Sequence, residues 1–391
     1  MEEGLEEILE SSCGLDVHKD KIEACILKTG AKSAYRETFG CIPSELDRLC
    51  KWINDYGCKD IAMESTGVYW LSIYERIEAK CPDLQSLMVV NAYEIKNMPG
   101  RKTDIKDAHW IALLLKRGLL RKHNSFIPDH IVRDMREISR LRRKITEERS
   151  KASNQLEKFL QSHGFKFSSV FSSITGMSSA AMLKRLSENG KLSLRDIYDC
   201  CRKNLKHVPE EILAAVNGEL NDVERKLLGF LLKRIDGLND QISELTQMLT
   251  DLFEEYKPQI EIAMSLPGIN LDSAMEVLAE ISPEPQASFD TPEKVCKWAG
   301  LAPRNDNSAD KIINRKILHG NPYVKSILVQ CAWAAVKTRD SEFQKWFWPR
   351  QCRLGRKKAI IAVARKLLYL LYTLLSRGMF YSPPVPAPKA V

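Results

Sequence analysis

An aspartate in the middle of the first apolar strand limits the folds open to this chain. The run SCGLDV at 12–17 has β-strand character, and Asp16 stands inside it. An ionised carboxylate on a buried strand is costly unless a positive partner meets it, and a metal ion is the simplest such partner. The fold therefore has to bring cations, and the groups that hold them, to the end of this strand. The surrounding pattern supplies candidates. KIEACILK at 21–28 reads as a second strand after the polar turn His18-Lys19-Asp20, and Ser33 to Phe39 as a third. A helix from Ser44 to Tyr56, a strand from Asp60 to Met63, a helix from Tyr69 to Glu78 and an apolar run from Leu87 to Val90 follow. A further helix starts at Asp104, runs through IKDAHWIALLLKRG and stops at Gly118. A meander followed by alternation is an α/β order.

In that order Glu64 falls at the C-terminal end of a strand, where open α/β sheets place their sites. Asp104 and Asp107 are three residues apart at the start of a helix and share a face. Four carboxylates from three separated elements suit two divalent ions about 4 Å apart, an arrangement used in phosphodiester chemistry. Each acid also has a plainer reading. Asp104 and Asp107 suit the positive end of a helix dipole, and Glu64 could cap the helix after Ser65-Thr66-Gly67. His18 and His109 lie beside the acids and would support them or simply pack.

Charge is distributed unevenly over the 391 residues. Residues 1–100 carry −7, 101–166 carry +9, 167–335 carry −4 and 336–391 carry +10. The clusters Arg140, Arg142, Arg143, Lys144 and Arg353, Arg356, Lys357, Lys358 suit a polyanion, because neutralising phosphates releases counterions. Either cluster alone is equally a solvated helix face. The eleven scattered cysteines contain no C-x-x-C pair, so reduced thiols are expected rather than a disulfide framework or a zinc site. MEEGLEEILE does not read as a targeting peptide, and the best apolar stretch, Ala359 to Leu375, is broken by Arg365 and Lys366, so no membrane span is expected.

Two long helices are expected, Ile131 to about Phe159 and Glu219 to Tyr256. The second carries Leu231, Ile235, Leu238, Ile242, Leu245, Leu249, Leu252 and Tyr256 at spacings of four and three, a coiled-coil seam. Such a seam predicts helix pairing, within one chain or between chains. The first helix is interrupted at its own seam by Arg142 and Arg149, which suggests nucleic acid as part of its partner. Residues 164–218 read as small helices with loops. Around Pro267-Gly268-Ile269 two apolar helical stretches suggest either a phosphate-binding helix-hairpin-helix or a plain αα-corner. The rest is mostly helical apart from RNDNSADKIINRKILHGNP, before a disordered tail. The expected divisions are an acidic tail at 1–11, an α/β domain at 12–125, a helical region at 126–256, a mostly α domain at 257–380 and the tail at 381–391.

GLDVHKD, AMESTGVYW and RKTDIKDAHWIALLL, in this order and spacing, resemble the RuvC-like amino-terminal domain of the DEDD-type transposases of bridge-RNA-guided insertion sequences, relatives of the Piv-type DNA invertases. SLPGINLDSAMEVLAEI, KWAGLAPRNDNS and HGNPYVKSILVQCAWAAV resemble the second conserved domain of that family. The resemblance implies an RNase H-like (RuvC-like) fold whose four acids, Asp16, Glu64, Asp104 and Asp107, are expected to hold two Mg²⁺ ions. It also implies a serine-recombinase-like C-terminal domain with Ser308 as the nucleophile on DNA. Ala309 follows that serine where the family usually has glycine, and Pro322 replaces a more typical polar residue. The implied function is a transposase that excises and inserts its element through a phosphoserine intermediate, guided by a structured RNA. Its partners would be donor and target duplexes, that RNA and further copies of the chain, as a dimer or tetramer in a prokaryotic cytoplasm at the nucleoid. Arg304, Lys311 and Arg315 would neutralise phosphate near Ser308. Arg136, Arg140, Arg143, Lys144, Arg353, Arg356 and Lys357 would contact nucleic acid. The alternatives are a RuvC-like metal-dependent nuclease and a catalytically lapsed nucleic-acid adaptor.

Overall fold

The computed structural model describes residues 7–65, 67–92, 95, 107–120, 124–125, 127–201, 207–303, 306–308, 311–314, 317 and 319–383, with the backbone alone at 124, 306–308 and 311–314. The chain divides into two compact units at Ile127/Pro128.

The first unit is built on a six-stranded sheet. Its strands are β1 (Ser11–Val17), β2 (Lys21–Lys28), β3 (Tyr35–Gly40), β4 (Asp60–Glu64), β5 (Ser86–Val90) and β6 (Asn124–Ser125), in the order β3-β2-β1-β4-β5-β6. β1, β2 and β3 are antiparallel, whereas β4 and β5 run parallel to β1. This arrangement is compatible with an RNase H-like domain.

Period-two alternation gives each face of the sheet its own core. Cys13, Leu15, Val17, Ile61 and Met63 face α1 (Pro43–Asp55) and α2 (Tyr69–Lys80). Ala62 and Val90 face α3 (Asp107–Lys116) through Trp110, Ile111, Leu114 and Leu115. β1 is thus buried on both sides. Gly118 ends this helical segment at φ +67°, as a left-handed stop. The acidic start is less free than expected. Lys116 pairs with Glu7 at 2.9 Å, and the amides of Ile8 and Leu9 both donate to the Lys116 carbonyl, which binds residues 7–9 to the end of α3.

The second unit is helical. α4 (His130–Ser162) is followed by α5 (Phe167–Val170), α6 (Met177–Asn189), α7 (Leu194–Cys200) and α8 (Pro209–Val216), then by α9 (Asp222–Leu252). α10 (Lys257–Met264), α11 (Leu271–Ile281) and α12 (Pro292–Trp298) precede a hairpin of β7 (Asp306–Ser308) and β8 (Lys311–Asn314). α13 (Pro322–Ala335), α14 (Glu342–Leu354) and α15 (Arg356–Arg377) complete it. Arg142 bonds Thr246, Arg149 bonds Asn239 and Arg234 bonds Gln155, so α4 and α9 lie antiparallel.

The apolar seam of α9 is consumed within the chain: Leu228, Ile235 and Leu238 join one core with Leu156 and Leu160 of α4, and Leu249 joins another with Met135. Of the two pairings that the seam allowed, the structure has the one within the chain. The turn between α10 and α11 is a packing corner. A Cβ on Gly268 would fall 2.4 Å from the Cys331 carbonyl oxygen and 2.6 Å from the Ala335 amide, so its backbone is pressed onto α13 rather than offered to a phosphate. α15 is long and apolar enough to cross a membrane, but half of that stretch is buried, with Val363, Leu367 and Leu371 inside the second core. The first residues of the expected tail are held by hydrogen bonds. The Tyr381 amide donates to Ser265 Oγ and its hydroxyl to Glu342, while 384–391 lie outside the described residues.

Candidate active site

Strand pairing sets out the face beneath α3 row by row, because directly registered neighbours project to the same side. Gly14 pairs with Cys25, which pairs with Arg36; Asp16 pairs with Glu23, which pairs with Thr38. On the other side Gly14 is in register with Ala62, and two residues further along each strand stand Asp16 and Glu64. One row therefore reads Glu64, Asp16, Glu23, Thr38. The row behind it reads Ala62, Gly14, Cys25, Arg36.

Gly14 is what lets α3 down onto this face. A Cβ there would lie 2.2 Å from the Ala108 carbonyl oxygen and 2.4 Å from the Ala112 amide nitrogen, both main-chain atoms. Ser12 Oγ, on the same face, donates to the Ala112 carbonyl at 2.9 Å. The helix thus runs antiparallel to β1, and its first residue, Asp107, comes down at the Asp16 end. A glycine inside a strand marks such a close backbone approach, a signal already present in SCGLDV.

The electrostatics follow from that placement. Asp16 is 7% exposed and Glu64 8% exposed. Burial raises the Asp16 carboxyl above the usual aspartate range; the neighbouring His18 opposes the rise, and the charges of Asp107 and Glu23 add to it. His18 Nε2 lies 3.1 Å from Asp16 Oδ2, so this histidine does support the acid. His109, the third residue of α3, meets Cys25 and Arg36.

Asp104, the fourth expected ligand, lies outside the described residues. Among the described residues no three His, Cys, Asp or Glu side chains are gathered tightly enough to hold a metal ion. The structure brings Asp16, Glu64 and Asp107 to one end of the sheet without closing a ligand shell. Their donor chemistry, hard carboxylate oxygens with one acid held against its own charge, fits a hard divalent cation.

The expected second site is placed only in outline. Ser308 is the last residue of β7, in register with Lys311 of β8. Their side chains, and all of Ala309, Arg304 and Arg315, lie outside the described residues. Pro322 is the first residue of α13 behind the cap Asn321, a position that favours proline.

The arginines expected on the basic face of α4 have partners within the chain. Arg140 makes a two-pronged contact to Glu280 at 2.7 and 2.9 Å, and Arg136 donates to the Glu280 main-chain carbonyl at 2.7 Å. Arg142 is spread over Thr246, Glu276 and Asp272, and Arg143 over Tyr323 and Ser326. These guanidiniums bind α4 to α11 and α13: the buried Glu280 takes Arg136 and Arg140, Arg142 meets the half-buried Glu276 and the exposed Asp272, and among the described residues the acid beside Arg143 is the exposed Glu147. Lys144, by contrast, is exposed. Arg353, Arg356 and Lys357 are exposed too, at the junction of α14 and α15, where Arg356 stacks on Trp333. α15 begins there at Gly355 with no side-chain cap and no acid in its first turn. Cations at the positive end of a helix are unfavourable unless an anion joins them.

Two family models match the sequence. A transposase model of DEDD type from the IS110 group covers residues 13–165, and the transposase IS116/IS110/IS902 family model covers 260–347. Over 260 residues, 65% of this chain, it is 26% identical to the Sinorhizobium fredii protein named “Putative transposase y4rJ”. Over 160 residues, 40% of the chain, it is 24% identical to the insertion element IS110 uncharacterized 43.6 kDa protein of Streptomyces coelicolor. These matches span 60% and 38% of the two relatives' own lengths.

Proposed function

This chain belongs to the IS110 family of DEDD-type transposases, and from that premise we propose that it excises and inserts a DNA element by exchanging strands between two duplexes. The observation that carries the reading is the row Glu64, Asp16 with Asp107 above it, set at the strand ends of a sheet that α3 can approach only because residue 14 is glycine. Asp16, Glu64 and Asp107, with Asp104, would hold divalent cations, for which Mg²⁺ is the expected ion. Bound there, such ions draw charge from a phosphate and ease displacement at phosphorus. The protein's own contribution is to hold the carboxylates rigidly, with His18 orienting Asp16 and the two apolar layers fixing β1 from both sides.

In this reading Ser308 makes the covalent connection. Its Oγ forms an ester bond to phosphorus as one of the strand's own P–O bonds breaks, and the proton lost by the serine ends on the departing oxygen. The bond energy stays in the phosphoserine ester, so a hydroxyl end from the second duplex can reverse the step and rejoin. Arg304, Lys311 and Arg315 are the cations nearest Ser308 in sequence. Lys144 and the Arg353, Arg356, Lys357 corner supply phosphate contacts, which position a duplex without reading it. A structured RNA encoded by the element would supply the sequence choice by base pairing. Two duplexes need more than one copy of the chain, acting in the prokaryotic cytoplasm at the nucleoid.

The test is to purify the protein with its co-purifying nucleic acid, sequence that RNA and offer two duplexes carrying the element's ends. Strand exchange and a serine-linked DNA adduct by mass spectrometry are expected, with no adduct from Ser308→Ala. An adduct on another residue discards the serine. Hydrolysed ends with no adduct in the native protein make the chain a nuclease.

A further inference from the structure

Beside the carboxylate row, the same sheet edge holds an open cavity of about 280 Å³ lined by Glu23, Cys25, Arg36, Glu37, Thr38 and His109. Arg36 comes from β3, the edge strand, and its exposed side chain reaches across to α3. Its Nη2 donates to His109 Nδ1 at 3.2 Å, and the thiol of Cys25 lies 3.6 Å from the same nitrogen. Among the described residues Arg36 has no carboxylate partner. The two acids that line the cavity are engaged elsewhere: Glu23 with Lys21 at 2.7 Å, and Glu37 with Arg48. An arginine whose described partners are an imidazole and a thiol keeps its full charge and most of its five N–H donors. Thr38 is two strands away from Asp16 in the same row, about 10 Å. That places a free cation and a hydroxyl within a nucleotide or two of any phosphate lying over the carboxylates.

We propose that Arg36, with Thr38 beside it, holds a non-scissile phosphate of the DNA strand being cut, and that His109 is a positioning residue that aims the guanidinium. A planar, forked guanidinium suits two phosphate oxygens at once. His109 stands two residues after Asp107 on α3, so the helix that delivers the carboxylate also fixes the spacing between cut and grip. The inference rests on the carboxylate site described above as the place where DNA is cut.

The experiment uses the full chain with its own RNA and duplexes in which each phosphate near the cut is replaced in turn by a neutral methylphosphonate. Native protein should lose cleavage on the order of 10- to 100-fold at one such phosphate, the loss expected for a hydrogen bond to a charged group. Arg36→Ala should show that loss on unmodified DNA and no further loss at that phosphate, while keeping the native penalties elsewhere. Arg36→Lys should recover part of the rate. His109→Phe should reproduce the Arg36→Ala pattern, whereas a merely structural histidine would lower the rate at every phosphate alike. If Arg36→Ala suffers the native penalty at every position, the phosphate grip is wrong although the carboxylate site stands. If native protein cuts none of the duplexes, the carboxylate reading itself fails and this inference falls with it.

Discussion

Replacing Gly14 by alanine tests whether the approach of α3 is what makes the site. The new methyl would sit 2.2 Å from the Ala108 carbonyl oxygen and 2.4 Å from the Ala112 amide. Carbon and oxygen come no closer than about 3.3 Å even in weak C–H···O contacts, so the helix must retreat by about 1 Å. Two effects follow. Overpacking of this kind costs about 1–3 kcal/mol, and the Ser12 to Ala112 bond, 2.9 Å in the native protein, is stretched out of range. Asp107 moves with the helix relative to Asp16, and a displacement of about 1 Å at a reacting centre costs on the order of 100-fold in rate. The measurements are the denaturation midpoint and the cleavage rate across a divalent-ion titration. A second substitution, Ala112→Gly, should not rescue either quantity, because the clashing atoms belong to the main chain. Full-rate cleavage with an unchanged midpoint would refute the reasoning, since α3 would then not be the rigid support of Asp107.

Asp16→Asn should abolish cleavage yet leave the metal-free protein as stable as the native chain or more so. The Asp16 carboxyl is raised by burial, so its ionised form burdens the fold above its folded pKa, and that burden disappears as pH falls through it. Divalent-ion affinity should decline over the same acidic window, which begins at a higher pH than for an ordinary aspartate; thermal melts and ion titrations at several pH values check both. Glu280→Ala should destabilise the second unit by about 3–5 kcal/mol, because Arg136 and Arg140 would be left partly buried without their acid. A loss under about 1 kcal/mol in urea melts would show the cluster to be dispensable. Ile235→Glu with Leu238→Glu should unfold this unit rather than release smaller particles, read by circular dichroism and light scattering together; folded protein of lower mass would restore the intermolecular seam.

The first unit was legible because its signals are local. Alternation placed every strand in the meander, Gly118 stopped its helix, and an acid inside an apolar strand announced chemistry. Gly14 carried information of the same local kind, visible in SCGLDV. The arginines of α4 were not legible in this way. Arg140 and Glu280 are far apart in sequence, and nothing in VLAEI distinguishes an acid that will be buried from one that will be solvated. Arg142 and Arg149 look like breaks in a seam until Thr246, Glu276 and Asn239 are found opposite them. A charge count gives the sign of a segment, but only the fold shows which charges remain for a partner.

The α4 and α9 pair also has a mechanical consequence. Each helix is seated in two apolar clusters: Met135 and Leu249 in the one around α15, Leu156 and Ile235 in the one around the short helices. At 33 and 31 residues they are struts about 50 Å long with both ends embedded. A load on one cluster is passed to the other as axial push and twist rather than absorbed in a loop. The two clusters are therefore expected to unfold together, as one cooperative unit.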